Sequence, residues 1–285
     1  MTMTMTMNTI PAVRETGRPL TDADLAGLAA RWISADMARD SGIKRVDSQD
    51  GARFIGRQDN GFYAGLLIPY FPPGERRVRG WRLHRDQPDL EFIKGKRRET
   101  GKYLWPTGRG NMVYFPPGLQ PGLLKAVDTP VIITEGEFKT LALWRLAHHD
   151  SDSTRFLPLG LGGVWSWRGN VGKTTGPNGD RRDVKGVIPD LDLIGCEDRR
   201  VIIAFAADAE RNEQVEAARS CLARVLRMRG AEVAFVTWDI AKGKGIDDLL
   251  ATVGPEEVLA LLGTADFEKP GRVRFVFSDR PHRTV

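Results

Sequence analysis

Three short acidic segments, each following an apolar run, are where chemistry can concentrate in this sequence. Val131 to Thr134 leads into Glu135-Gly136-Glu137, Arg200 to Phe205 into Ala206-Ala207-Asp208-Ala209-Glu210, and Ala231 to Trp238 is followed by Gly243-Lys244-Gly245-Ile246-Asp247-Asp248. In open parallel sheets, ligands bind beyond the carboxyl ends of the strands. Carboxylates converging there form an oxygen-rich pocket suited to Mg²⁺ or Mn²⁺, with positions left for water and phosphate. Gly136 lets backbone approach a ligand closely. Lys139, one helical turn after Glu135, can neutralise a phosphate or a developing negative charge. Taken singly, each acid is ordinary, since an isolated Asp at a strand end is more often a helix cap or a solvated charge. Their order along the chain is what suggests a pocket.

The elements that must position these residues read as α/β. From Pro130 onward strands alternate with helices: Val131–Thr134, a helical stripe of Phe138, Leu141, Ala142 and Leu146, a strand over Arg155–Leu159, an apolar strand over Arg200–Phe205, a helix over Arg211–Arg229 closed by Gly230, and a strand over Ala231–Trp238. This alternation predicts a mostly parallel sheet flanked by helices. Residues 163–198 are too long for a simple connection and read as an insertion with a short helix near Asp190–Ile194. Upstream, Thr21 and Asp24 have the spacing of a capping box before a helix over about 21–39. From 52 to 116, short apolar runs cut by Pro72-Pro73-Gly74 and Pro116-Pro117-Gly118 signal strands and turns. The stretch Pro116–Thr129 reads as a linker with a short helical turn. The expected organisation is a disordered leader over 1–20, a basic α+β subdomain over 21–125, an α/β domain over 126–263 and a basic tail over 264–285, in which Val273–Phe277 can add an edge strand.

Composition narrows the partners. The net charge of +5 is concentrated: between Arg76 and Arg109, eleven Lys and Arg residues face four acids, an excess of +7 that leaves the rest of the chain at −2. Interleaved with Trp81, Phe92, Tyr103 and Trp105, this stretch has the makeup of a surface that holds a polyanionic backbone and stacks on bases. A solvated basic hairpin is the plainer alternative. No apolar run approaches the roughly 18 to 20 residues of a membrane-spanning helix, and the repetitive start MTMTMTMNTI has no secretory character, so a cytoplasmic location away from membranes is expected. Two distant cysteines, Cys196 and Cys221, exclude a disulfide framework or a cysteine-rich zinc module.

The ordered motifs resemble the Toprim domain of bacterial-type primases, and most closely the Toprim-like family attached to phage and plasmid primases. The matching segments are Thr134-Glu135-Gly136-Glu137-Phe138-Lys139-Thr140-Leu141-Ala142-Leu143, the stretch from Phe205 through Asp208, Glu210 and Asn212 to Val215, and Lys244-Gly245-Ile246-Asp247-Asp248-Leu249-Leu250. Upstream, Leu67-Ile68-Pro69-Tyr70, Arg79-Gly80-Trp81-Arg82 and Lys102-Tyr103-Leu104 are similar to the basic half of primase cores, so the resemblance covers about 40–262. It implies Glu135 as general acid/base with Lys139 beside it, Asp208 as a metal ligand, and Glu210, Asp247 and Asp248 as further ligands. It also implies Arg82 and Lys102 as phosphate contacts. Arg79, Lys94, Lys96 and Gly136 complete the expected phosphate-binding set. Ala206 stands where the family has the first Asp of its DxD motif. Either metal binding has shifted to the remaining acids, or the site has lost its chemistry.

The function implied is a primase-like, metal-dependent nucleotidyl or phosphoryl transfer on DNA in the replication of a mobile element. Its expected partners are single-stranded DNA, nucleotides and a replicative helicase. A degenerate module that binds single-stranded DNA or docks a helicase, and a metal-dependent nuclease, are the alternatives. Two other signals are set aside. Gly169–Thr175 resembles a phosphate-binding loop, but Trp167 occupies its first glycine position and no apolar strand leads into it. His148-His149-Asp150 ends a helix, where His is favourable beside the negative dipole end.

Overall fold

The computed structural model describes residues 17–58, 61–93, 95–207, 209 and 212–267. The N-terminal half contains α1 (Asp22–Ala29), α2 (Ala35–Asp40), β1 (Lys44–Val46), α3 (Ser48–Ile55), β2 (Gly65–Tyr70), β3 (Gly80–Arg85), β4 (Asp89–Ile93), β5 (Lys96–Thr100) and β6 (Tyr103–Leu104). The remainder contains β7 (Val113–Tyr114), β8 (Val131–Glu135), α4 (Glu137–Ala147), β9 (Leu157–Leu161), β10 (Arg168–Thr175), β11 (Arg181–Val187), β12 (Arg200–Ile203), α5 (Glu213–Met228), β13 (Glu232–Phe235), α6 (Ile246–Val253) and α7 (Pro255–Gly263). The chain is α/β, as its alternation predicts. Strands β13, β12, β8 and β9 run parallel in that order, and β7 closes one edge antiparallel to β9. An antiparallel sheet ordered β1-β2-β3-β6 forms the N-terminal half.

The parallel strands read as near-continuous apolar runs because helices cover both faces. Val131, Ile133, Leu157, Val201, Ile203, Leu222 and Val233 share one core; Ile132, Ile202, Ala234, Leu141 and Leu249 share another that also takes in Leu66, Ile68 and Tyr70 of β2. The second core therefore joins the halves. Helix α5 follows the predicted amphipathic pattern, and Gly230 beyond it has φ 90°, the left-handed geometry that ends helices.

Several boundaries differ from the sequence reading. The single helix expected over 21–39 is two. Thr21 and Asp24 do form the capping box of α1, but Trp32 turns left-handed at φ 60° and Ser34 caps α2, its hydroxyl accepting from the Met37 N–H. Stacking of Arg145 on the Trp32 ring, 4.2 Å from its centroid, and donation from Arg145 to the Trp32 carbonyl hold that break. Helix α3 lies where strands and turns were expected. The linker has its helical turn as a 3-10 segment, Pro121–Leu124. Buried Arg199 fixes it, donating to the carbonyls of Leu123, Leu124 and Thr129. The insertion contains the expected short helical element, as 3-10 segment Pro189–Leu193, and in addition the two-stranded ribbon β10–β11. Residues 1–16 of the expected leader, and Val273–Phe277 of the expected tail, lie outside the described residues; Arg18 bridges to Arg45. No helix among the described residues is long and apolar enough to cross a membrane.

His84 of β3 sits where the halves meet, edge-on to Phe138 of α4 and against Tyr103 of β6, with neither ring nitrogen hydrogen-bonded among the described residues. Burial, reinforced by nearby Lys102, lowers its pKa from 6.5 to about 4. The neutral ring is the form that fits. Its contribution to stability is therefore present above pH 6.5 and lost as the pH falls toward 4. Urea unfolding at pH 7 and pH 4.5 should show His84→Phe losing less stability on acidification than the wild type; parallel losses would mean that His84 does not couple protonation to folding.

Candidate functional site

Strand β8 exists because Val131 to Thr134 is a β-branched run buried on both faces, and it delivers Glu135 to the carboxyl edge of the sheet. Gly136 then turns the chain into α4 with φ 99°, a conformation that side chains rarely adopt. A Cβ placed there would meet nothing within 4 Å, so the space above this turn is open. The Gly136 N–H donates to the Leu161 carbonyl of β9, and the Thr140 hydroxyl donates to the Gly136 carbonyl.

The two glutamates of the turn have different roles. Glu137 is fully buried and faces the N-terminal half. Its Oε1 accepts from Arg82 Nη1 at 2.9 Å and from the Tyr70 hydroxyl at 2.5 Å. Arg82 stacks over Tyr103 and Trp105, 4.7 and 5.4 Å from their centroids, and also donates to the Gly162 carbonyl. Glu135 instead pairs with the helix that follows it: Lys139 Nζ lies 2.8 Å from its Oε1. Glu135 Oε2 is buried with no hydrogen-bond partner among the described residues. Burial raises the Glu135 pKa; Lys139 opposes that shift, and the negative charge of Asp247 adds to it. Burial works against the charged form of Lys139, yet Glu135 outweighs it and the Lys139 pKa is raised.

The third acidic segment folds back onto this pair. Beyond β12, the Ala207 N–H donates to the Lys244 carbonyl, and a Cβ on Gly245 would lie 2.2 Å from Asp247 Oδ1 and 2.5 Å from Lys139 Cε. A larger residue at 245 would displace the Asp247 carboxylate and the end of Lys139. Asp247 is 1% exposed; its Oδ2 accepts from Arg31 at 2.7 Å while Oδ1 has no partner among the described residues. Asp248 has a different job from the ligand expected of it: its Oδ2 accepts from the Gly245 N–H at 2.9 Å, capping α6. Ala206 is buried. Asp208 and Glu210, expected as metal ligands, lie outside the described residues. Among the described residues, the group of His and acids close enough together to share an ion is His149, Asp150 and Glu256. It lies past the C-terminus of α4, and the 11-residue length of that helix, about 16 Å at 1.5 Å per residue, separates it from the Glu135 turn.

The expected phosphate contacts need correction at two positions. Arg82 is spent on Glu137. Arg79 forms a two-pronged ion pair with Asp190 of the insertion, at 2.8 and 2.6 Å, and donates to the Val113 carbonyl. Both guanidiniums are ties between segments, Arg82 buried with Glu137 and Arg79 partly buried with Asp190, because a carboxylate withdrawn from water needs a partner. Lys102 is half-exposed, 4.0 Å from Glu99. Lys96 lies in β5, and Lys94 is outside the described residues. The hairpin β4–β5 projects Phe92, 80% exposed, among exposed Arg97 and Arg98. Sequence reasoning missed Arg31, Tyr70 and Asp190 as partners. Arg31 and Asp247 are 216 residues apart, with no local signal joining them.

The fold is shared with primase catalytic cores. The chain is similar to the Aquifex aeolicus primase zinc-binding and RNA polymerase domains, at TM-score 0.54 and 14% identity over 87% of this chain and 57% of that one. It is also similar to the DnaG catalytic core (TM-score 0.51, 15% identity, 89% of this chain and 76% of that one) and to the DnaG primase catalytic domain bound to ssDNA (0.53, 13%, 89% and 75%). The chain thus has a primase-core fold and spans little more than half the length of the Aquifex protein. The family described as Domain of unknown function (DUF3854) matches residues 122–257. No curated protein matches the sequence.

Removing one member of a buried ion pair strands the other. Arg82→Met should therefore cost about 3 to 5 kcal/mol in urea unfolding, and adding Glu137→Gln should restore a large part of it. A loss below about 1 kcal/mol for Arg82→Met would show that the pair does not join the halves.

Proposed function

We propose that this protein is a primase-like nucleic-acid enzyme of a mobile element that catalyses metal-dependent nucleotidyl transfer, with Glu135 as its general base. The observation that carries this reading is the state of Glu135. One oxygen is held by Lys139, the other is buried and unpartnered, and the carboxyl is shifted upward by burial at the carboxyl edge of the sheet. A carboxylate with a raised pKa accepts a proton from an attacking hydroxyl more readily than an ordinary one. Lys139 fixes its orientation and presents positive charge where negative charge develops on a transferring phosphate.

The unpartnered oxygen Asp247 Oδ1 is a hard donor of the kind that Mg²⁺ or Mn²⁺ takes. With Asp208 and Glu210 it would hold the ion, which when bound supplies charge to the transferring phosphoryl group. Single-stranded DNA is the proposed template and nucleotides the co-substrates, with a separate helicase for unwinding. Lys102 and the hairpin β4–β5, with Arg97 and Arg98, are the proposed strand contacts in place of Arg79 and Arg82.

A second reading is favoured by Ala206 at the usual first metal-ligand position and by the internal cation at Glu135: a module that binds single-stranded DNA without turnover. Labelled single-stranded DNA, nucleotides and Mg²⁺ or Mn²⁺ separate the two. The first reading predicts extension that Glu135→Gln lowers by about 10²- to 10⁴-fold. It also predicts a rate profile whose acid limb lies above the ordinary glutamate value of 4.5. Because Lys139 lowers the Glu135 pKa, Lys139→Met should move that limb higher still. Retention of DNA with no extension under either metal would establish the second reading, and undiminished extension by Glu135→Gln would remove Glu135 as the base.

A further inference from the structure

Ribbon β10–β11 buries little, yet its charges are sorted. Its register is Asn170 opposite Lys185, Lys173 opposite Asp183, Thr174 opposite Arg182 and Thr175 opposite Arg181, with a bulge at Val171 between Asn170 and Gly172. Directly paired residues share a face and successive residues alternate between faces. One face thus carries Arg168, Asn170, Lys173, Thr175, Arg181, Asp183, Lys185 and, at its base, Val187: four cations and one acid. The other carries Gly169, Gly172, Thr174, Arg182, Val184 and Gly186, a single cation among small residues. Contacts within the first face agree with this, since Asn170 donates to Asp183 at 2.8 Å and Lys185 donates to Asn170.

A two-stranded ribbon is marginal in water by itself, and most of this one is exposed. Its base, however, is fixed. Trp167 and Ile188 are buried in the core, the Ile188 N–H donates to the Trp167 carbonyl, Asn111 donates to the Arg168 carbonyl, and Arg168 stacks 4.0 Å from the Trp165 ring centroid. That base adjoins the site. Leu161, the register partner of Glu135, ends β9, and the ribbon starts at Arg168. An eight-residue strand reaches about 26 Å, and phosphates recur about every 3.4 Å along a nucleic-acid strand.

We propose that the cationic face of β10–β11 is a nucleic-acid-binding arm that tracks the phosphate backbone of the strand entering or leaving the site at Glu135. The assignment rests on the nucleic-acid reading of that site. Charge complementarity selects the partner: cations spread along one face with a single acid among them match a regularly spaced polyanion. The cationic face offers no exposed apolar anchor of the kind a protein interface centres on: Val184 is on the other face, and Val171 packs over Gly186 there.

The test is fluorescence anisotropy of the full chain on labelled single-stranded DNA across a salt series. Each phosphate contact contributes about 0.7 to the slope of log K against log salt. Lys173→Ala/Arg181→Ala/Lys185→Ala should therefore lower that slope by about 2. Asp183→Asn, which removes the one acid of the face, should tighten binding, a gain that misfolding cannot mimic. Arg182→Ala, on the glycine face, should change the slope least. An unchanged slope in the triple variant would overturn the arm. Failure of the wild type to bind DNA would overturn both the arm and the proposed function. A reduced slope in the triple variant with undiminished extension by Glu135→Gln would overturn only the assignment of Glu135.

Discussion

A carboxylate taken out of water needs a partner, and the junction between the two halves of this protein is organised by that requirement. Glu137, Asp190, Asp247 and Glu135 are answered by Arg82, Arg79, Arg31 and Lys139 respectively. The first three cations come from the N-terminal half and the three acids from the remainder. Ion pairs across the junction thus position the basic half against the acidic edge of the parallel sheet. Tyr103 and Trp105 stack on Arg82, and Tyr70 donates to the same Glu137 oxygen, so aromatic surface covers the pair on the N-terminal side.

Glu135 is the exception among the four, because its cation is supplied by α4, the helix that directly follows it. Nothing in the N-terminal half is committed to it, and its second oxygen is unpartnered among the described residues. Gly136 and Gly245 leave room around it, one by its backbone geometry and the other by the absence of a side chain. Glu137, one residue away from the glycine and equally acidic, is structural. Neighbouring residues of one motif therefore divide into a tie and a candidate reactive group according to which side of the turn they face.

Much of the fold was legible because burial writes periodicity into sequence. The parallel strands, α5 with Gly230 and the capping box of α1 could all be read locally. Elements that bury little left weaker marks. Ribbon β10–β11 shows no apolar alternation because only Val187 at its base reaches a core, and its glycines read as a loop. Helix α3 was hidden by Gly51, a poor helix former whose added Cβ would strike the Tyr63 carbonyl. At the site, Glu135 and Lys139 were visible as a pair four residues apart. The buried roles of Arg79 and Arg82 were not: a basic, aromatic-rich stretch has the same composition whether its arginines face phosphate or distant carboxylates. Asp190 and Glu137, their partners, lie 111 and 55 residues away.

Burial holds the Glu135 carboxyl in a raised, proton-accepting state despite its lysine. Carboxyl-carbon NMR of the full chain, with the Glu135 signal assigned by its loss in Glu135→Gln, measures this directly. A titration midpoint above the ordinary 4.5 is expected. A midpoint at or below 4.5 would mean that Lys139 dominates and that Glu135 is a salt-bridged structural acid.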